Sequence, residues 1–140
     1  MKITEGFPEV IKKAFPQVDF PLPGFTGSLL QGENCQLAFS EFTEDFSTPD
    51  HQHQVHWGLI LEGEAEMTIH GETKTYRAGE YYIVPAGAVH SARIKKGTKS
   101  IDIWFQKDYL KPKTDYCHFL EIETAEKRIK LQFFGVERQR

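Results

Sequence analysis

The feature that most constrains this chain is a series of short apolar–polar alternations, each broken after a few residues by a turn signal. Segments 35–42, 56–61, 64–69, 72–76, 81–84, 90–94 and 100–106 read with a period of two. At that spacing, side chains fall alternately on the two faces of a strand. Between them stand Glu62-Gly63, His70-Gly71, Ala78-Gly79, Pro85-Ala86-Gly87 and Lys96-Gly97, combinations that favour tight turns. A further strand is expected at 28–31, with a turn at Gly32-Glu33-Asn34. Many short strands at even spacing, with no helical pattern between them, predict an all-β sandwich or barrel and exclude a βαβ fold. The 11 Phe residues and 13% aromatic content agree, because aromatic side chains favour strands and an aromatic-lined interior.

Both flanks read differently. Over 8–15 a short helix is predicted, because Pro8 suits a first helical turn and Val10, Ile11, Ala14 and Phe15 recur at helical spacing. Pro16 ends it, and the Pro- and Gly-rich stretch 16–27 is an extended loop that offers Phe20, Leu22 and Phe25 for packing. At the other end, 122–128 reads as a short polar helix, 129–133 as a strand and 137–140 as a solvated charge run.

Charge and cysteine content narrow the function classes. A net charge of −3, with 20 acidic against 17 basic residues, offers no basic surface for a phosphate backbone, so nucleic acid is excluded as a partner. No apolar run reaches the roughly 18 residues of a membrane span, and the first residues lack the apolar stretch of a secretory signal. Cys35 and Cys117 are too few for a disulfide framework and read as buried or idle thiols. A cytoplasmic protein of one domain, in 140 residues, is the expectation.

The candidate chemistry lies in the histidines. His51 and His53 are two apart, so in an extended chain both imidazoles project from one face and converge on one point. Neutral imidazole suits zinc, copper, iron and nickel. His56 breaks that parity and joins the pair only through a bulge or bend at Gln54-Val55. His90 arrives from another strand, directly after the Pro85-Ala86-Gly87 turn, and its approach is stiffened by the proline. His70, beside Gly71, reads as an exposed turn residue.

The pattern around these residues resembles the two signature motifs of the cupin superfamily. The second motif, Gly-x5-Pro-x-Gly-x2-His, is matched at Gly79, Pro85, Gly87 and His90. In the first motif, His51-Gln52-His53 stands in place, Asp45 occupies the position of the family's leading glycine, and His56 lies seven residues before Gly63, where the family carries glutamate. The linker after His53 is two residues, shorter than the family's three or four. The resemblance covers about residues 35–106, roughly half the chain.

It implies a double-stranded β-helix, or jelly-roll barrel, at 35–106. An N-terminal extension (1–34: short helix, Pro-rich loop and first strand) and a C-terminal extension (107–140) would flank it, the latter packing on the barrel or on a dimer partner. It also implies one divalent transition metal (zinc, iron, manganese or nickel), with His51, His53, His56 and His90 as ligands. Replacing glutamate by histidine would leave such a site at about +2 instead of +1, a stronger Lewis acid with one internal base fewer.

A base must then come from elsewhere. Asp102 and Trp104 alternate with Ile101, Ile103 and Phe105, so the two sets face opposite ways. If the apolar set packs between sheets, Asp102 faces outward and is idle; if the barrel takes the other set, Asp102 is a candidate acid or a partner of a ligating histidine. Trp57, Tyr81, Tyr82 and His118 read as core-filling aromatics. Two functions are expected: a metalloenzyme acting on a small oxygenated metabolite by dioxygenase or isomerase/cyclase chemistry, or a non-catalytic small-ligand or metal-binding module. A homodimer is expected in either case.

Overall fold

A computed structural model describes residues 6–113 in full, together with the backbone of strands at Tyr116–Glu123 and Arg128–Gly135. The alternating segments become antiparallel strands. In chain order the elements are α1 (Glu9–Ala14), β1 (Val18–Asp19), β2 (Phe25–Gln31), β3 (Gln36–Phe42), β4 (Phe46–Ser47), β5 (His56–Glu62), β6 (Glu64–Ile69), β7 (Glu72–Arg77), β8 (Tyr81–Val84), β9 (His90–Ile94), β10 (Lys99–Trp104), β11 (Lys111–Pro112), β12 (Tyr116–Glu123) and β13 (Arg128–Gly135).

Two sheets form the body, one in the order β2-β3-β10-β5-β8 and one in the order β4-β9-β6-β7. The chain passes from one sheet to the other after β3, after β4, at Gly63 after β5, and after β7, β8 and β9. Such alternation between two antiparallel sheets makes a jelly roll. Their inner faces share one core: Phe42, Ile60, Tyr82 and Val84 from the first meet Phe46, Ala65, Met67, Ala92 and Ile94 from the second.

The alternation of the five-stranded sheet has an unexpected sense. On β3, β5 and β10 the inward set is Gln36, Ala38, Ser40 and Phe42; His56, Gly58 and Ile60; and Ser100, Asp102 and Trp104. The more apolar set, Leu37, Phe39, Trp57, Leu59, Ile101 and Ile103, faces out and is half-buried. Of the two orientations left open by the alternation, Asp102 and Trp104 take the inward one. The reason is a cover that strand alternation does not reveal: Phe7 and Phe15, flanking α1, pack on Phe39 with ring centroids 5.4 and 6.0 Å away.

Hairpin β6–β7 turns on His70 and Gly71, with φ of 52° and 80°. A two-residue loop with both central residues at positive φ follows the twist of the flanking strands. A Cβ at Gly71 would meet no atom within 4 Å, so only backbone strain opposes a side chain there. Gly71→Ala is expected to destabilise the fold by about 1 kcal/mol, measured as a lower urea midpoint at unchanged m-value.

Two-residue strands β1 and β11 pair with each other and draw the segment after β10 back along the barrel. Gln36, 1% exposed, clamps that segment: its Nε2 donates to the Leu110 carbonyl at 2.8 Å, and its Oε1 accepts the Leu110 N–H at 2.7 Å. In the tail, both described ends of the expected polar helix are strand. Ile122 and Glu123 end β12, Arg128 opens β13, and the register sets Glu121 opposite Lys130 and Glu123 opposite Arg128. Residues 124–127, the side chains of Cys117 and His118, and the charge run at 137–140 lie outside the described residues.

Candidate metal centre

The two histidine segments are stitched together through their backbones. His51 and His90 form an isolated bridge, exchanging N–H···O bonds of 2.9 and 3.0 Å. The Gly87 N–H donates to the His53 carbonyl at 2.9 Å, so the Pro85–Gly87 turn is pinned on the His51–His53 segment. Three imidazoles converge as a result. The ligand nitrogens of His51, His53 and His90 lie within 4.8 Å of one another, and Nε2 of His53 is 3.0 Å from Nε2 of His90.

Each ring is fixed in its tautomer. Nδ1 of His51 lies 2.8 Å from the Pro49 carbonyl, Nδ1 of His53 2.8 Å from that of Gln54, and Nδ1 of His90 2.8 Å from that of Ala88. A carbonyl oxygen only accepts, so Nδ1 carries the hydrogen in all three rings and Nε2 is left with its lone pair. Two lone pairs facing each other repel unless a cation stands between them. Metal–nitrogen bonds of about 2.0–2.1 Å place neighbouring ligand nitrogens about 3 Å apart. The donor set and its spacing therefore fit a transition-metal ion, with backbone carbonyls holding the rings from behind.

The protonation states agree. Burial, reinforced by the neighbouring imidazoles, lowers His53 to about 4 despite its bond to the Gln54 carbonyl. Burial also lowers His90 from its ordinary value, again against a backbone hydrogen bond. Both rings are thus neutral near pH 7, the form that binds metal. In the unfolded chain both take up protons at higher pH than in the folded protein, so the unfolded state gains protons first as pH falls. Metal-free protein is accordingly expected to lose stability as pH drops from about 6.5 towards 4. Thermal unfolding of the metal-free protein at pH 7 and pH 5 checks this; equal melting temperatures would contradict it.

His56, the fourth expected ligand, lies outside this cluster. Its Nε2 donates to Asp102 Oδ1 at 3.1 Å. Its ring stacks on Trp104 at 4.3 Å and 18°, and Tyr82 stands perpendicular at 5.3 Å. Asp102 is the hub of this buried group, also accepting from Tyr82 Oη at 2.9 Å and from Ser100 Oγ at 2.7 Å. Burial alone would raise the Asp102 carboxyl, but the hydrogen bond and charge of His56 and the Ser100 hydroxyl bring it below its ordinary value. Burial and the Asp102 charge push the Tyr82 phenol well up, so it keeps its proton and donates. Gly58 makes room for this arrangement, since a Cβ there would collide with the Tyr82 ring and lie 2.7 Å from Asp102 Oδ1.

The histidine trio and the Asp102 group line one cavity of about 70 Å³, whose remaining wall includes Phe20, Phe42, Phe46 and Met67. His51 and His53 are half-buried, whereas His56 and Asp102 are 7% and 3% exposed. His51 and His53 thus mark the shallow end, while the 2% exposed His90 and the Asp102 group lie deeper. Among the expected aromatics, Tyr82 lines the cavity, while Trp57 and Tyr81 lie on the outer face of the sheet and meet at 6.3 Å. His70 is exposed at its turn, and Cys35 is a half-buried free thiol. Tyr109 is a lining residue that no sequence signal marked: it sits in the segment clamped by Gln36, with its ring 4.6 Å from that of His53.

Comparison with known proteins agrees with this architecture. Residues 40–103 match the family described as Cupin domain. No curated protein matches the sequence. Among solved structures, an RmlC-like cupin from Shewanella frigidimarina is similar with a TM-score of 0.61 at 19% identity, over 77% of this chain and 95% of that one. KdgF from Halomonas sp. is similar with a TM-score of 0.57 at 19% identity, over 65% of this chain and 87% of that one. Oxalate decarboxylase from Bacillus subtilis, described with Mn(II) centres, is similar with a TM-score of 0.51 at 18% identity, over 61% of this chain and 26% of that one. Residues 40–103 thus match the Cupin domain family, and the double antiparallel sheet, with motif histidines drawn together from two segments, has the fold of the solved cupin structures.

Proposed function

We propose that His51, His53 and His90 hold one divalent transition-metal ion, and that the protein is an enzyme acting on a small oxygenated metabolite bound between that ion and the deep end of the cavity. The observation that carries this reading is the tautomer lock: three Nδ1–H groups are committed to carbonyls, and three Nε2 lone pairs turn toward one another. The Mn(II) centres of the structurally similar oxalate decarboxylase lend support. A bound ion would supply Lewis acidity toward a ligand oxygen, with three neutral ligands leaving its charge near +2.

The chain's own residues do the rest. Phe20, Phe25, Phe42 and Phe46 make one part of the cavity wall apolar, and a low local dielectric strengthens polar contacts in the remainder. Asp102 fixes the His56 ring through Nε2, with Tyr82 and Ser100 fixing Asp102 in turn. A ligand is thus gripped at its oxygens by the shallow end and oriented by the deep end.

The test is turnover. Protein loaded anaerobically with iron(II), and separately with manganese or zinc, is offered small hydroxy acids, keto acids and catechol, and products are read by NMR. With iron, oxygen uptake above that of the free metal is expected once air is admitted; with manganese or zinc, isomerised or cyclised product. Tight binding of ligands that emerge unaltered with every metal would overturn the enzyme reading in favour of a binding module.

A further inference from the structure

Two buried ring nitrogens at the deep end of the cavity have no hydrogen-bond partner among the described residues: Nδ1 of His56 and Nε1 of Trp104. Both residues are 7% exposed and both line the cavity, whereas the other unpartnered buried atoms, Ser40 Oγ and Glu62 Oε2, belong to residues that do not. The two rings are stacked 4.3 Å apart at 18°. Leaving such groups unsatisfied is costly, and buried polar groups in folded proteins are paired almost without exception.

Their chemistry specifies what satisfies them. His56 commits Nε2–H to Asp102, so Nδ1 accepts when the ring is neutral and donates when it is charged. Trp104 Nε1–H can only donate. A carboxylate offers acceptors alone and would face the Asp102 carboxylate behind His56. An ammonium offers donors alone and gives the indole nothing. A hydroxyl both donates and accepts through one oxygen, so it serves His56 Nδ1 in either state together with the indole N–H, and it is neutral.

We infer that the deep end is a hydroxyl-binding subsite: the ligand carries an anionic oxygen group for the metal ion and, a few bonds away, a neutral hydroxyl for His56 and Trp104. This rests on the metal reading above and deepens it by naming the ligand class, a short hydroxy acid. Size agrees. At 10–15 Å³ for each water-sized group, a cavity of about 70 Å³ takes a ligand of roughly five to seven heavy atoms.

Cobalt(II)-loaded protein tests it, because the visible spectrum of the bound ion reports a carboxylate arriving beside it. Glycolate and methoxyacetate share a carboxylate and differ in that the hydroxyl is methylated. Glycolate is expected to bind about tenfold more tightly, the effect of one buried hydrogen bond. Trp104→Phe keeps an aromatic ring in the stack and removes only the N–H; it is expected to cut the preference to about threefold or less, whereas a preference caused by the bulk of the methyl group would persist. Equal affinities in the wild-type protein, no glycolate binding, or an unchanged preference in the variant would overturn the subsite while leaving the metal reading intact. Failure of cobalt to bind would overturn the metal reading itself.

Discussion

His53→Ala is expected to weaken divalent-metal binding by more than about 100-fold while leaving the fold intact. His53 is central to the cluster: its Nε2 lies 3.0 Å from that of His90, and its ring centroid is 5.2 Å from that of His51. Removing it leaves two nitrogens, and two ligands hold a divalent ion far less tightly than three; loss of an outer partner alone costs 10–100-fold. The fold survives because the half-buried imidazole contributes no backbone pairing, and the Gly87 N–H still finds the carbonyl of residue 53. The variant has a second consequence. His53 is the ring held lowest, at about 4, so without it the metal-free protein is expected to lose less stability between pH 6.5 and 4 than the wild type does. Metal titration monitored by calorimetry reads the first effect and acid unfolding the second. Unchanged metal affinity would show that the ion, if bound, is held elsewhere.

Gly58→Ala is expected to lower stability by about 3 kcal/mol, in the range of overpacking combined with a broken buried hydrogen bond. Gly58 stands opposite both Asp102 and Tyr82 in the sheet register. A methyl group there occupies the space of the Tyr82 phenol and approaches Asp102 Oδ1 to 2.7 Å. Neither neighbour can yield easily, because both are fully buried and joined by a 2.9 Å hydrogen bond. In a domain of this size the loss corresponds to a fall in Tm of about 10 °C. Metal affinity is expected to change little, since the histidine trio makes no contact with Gly58. A Tm within a degree of wild type would mean that the Tyr82–Asp102 bond adds nothing to the fold. A lost metal site would mean that the two ends of the cavity are one cooperative unit.

Strand content was legible because alternation and turn glycines are local. β6, β8 and β9 begin and end where the pattern does, and the His70-Gly71 hairpin follows from the conformations its two residues tolerate. Two-residue strands such as β1 and β11 were not legible, since their pairing is between segments far apart in the chain and leaves no period. The His51–His53–His90 cluster could be anticipated from the i, i+2 pair and the turn that aims His90. His56 could not be placed, because its ring direction is decided by Asp102, a residue 46 positions on. The orientation of β10 stayed open for a related reason: Ile101 stands opposite Phe39, whose cover comes from Phe7 and Phe15 in the N-terminal segment. Tyr109 illustrates the limit most clearly, reaching the cavity through a backbone clamp by Gln36 that residue type alone does not announce.

Metal content is the most direct measure of the central claim. Untagged protein, purified without chelator or metal-affinity resin, is analysed by inductively coupled plasma mass spectrometry, and the metal-free form is then titrated with manganese, iron(II), nickel and zinc. About one equivalent of a divalent transition metal per chain is expected, lost in His53→Ala. Protein that is isolated without metal and binds none of the four ions would contradict the three-histidine centre and leave a barrel whose imidazoles serve some other purpose.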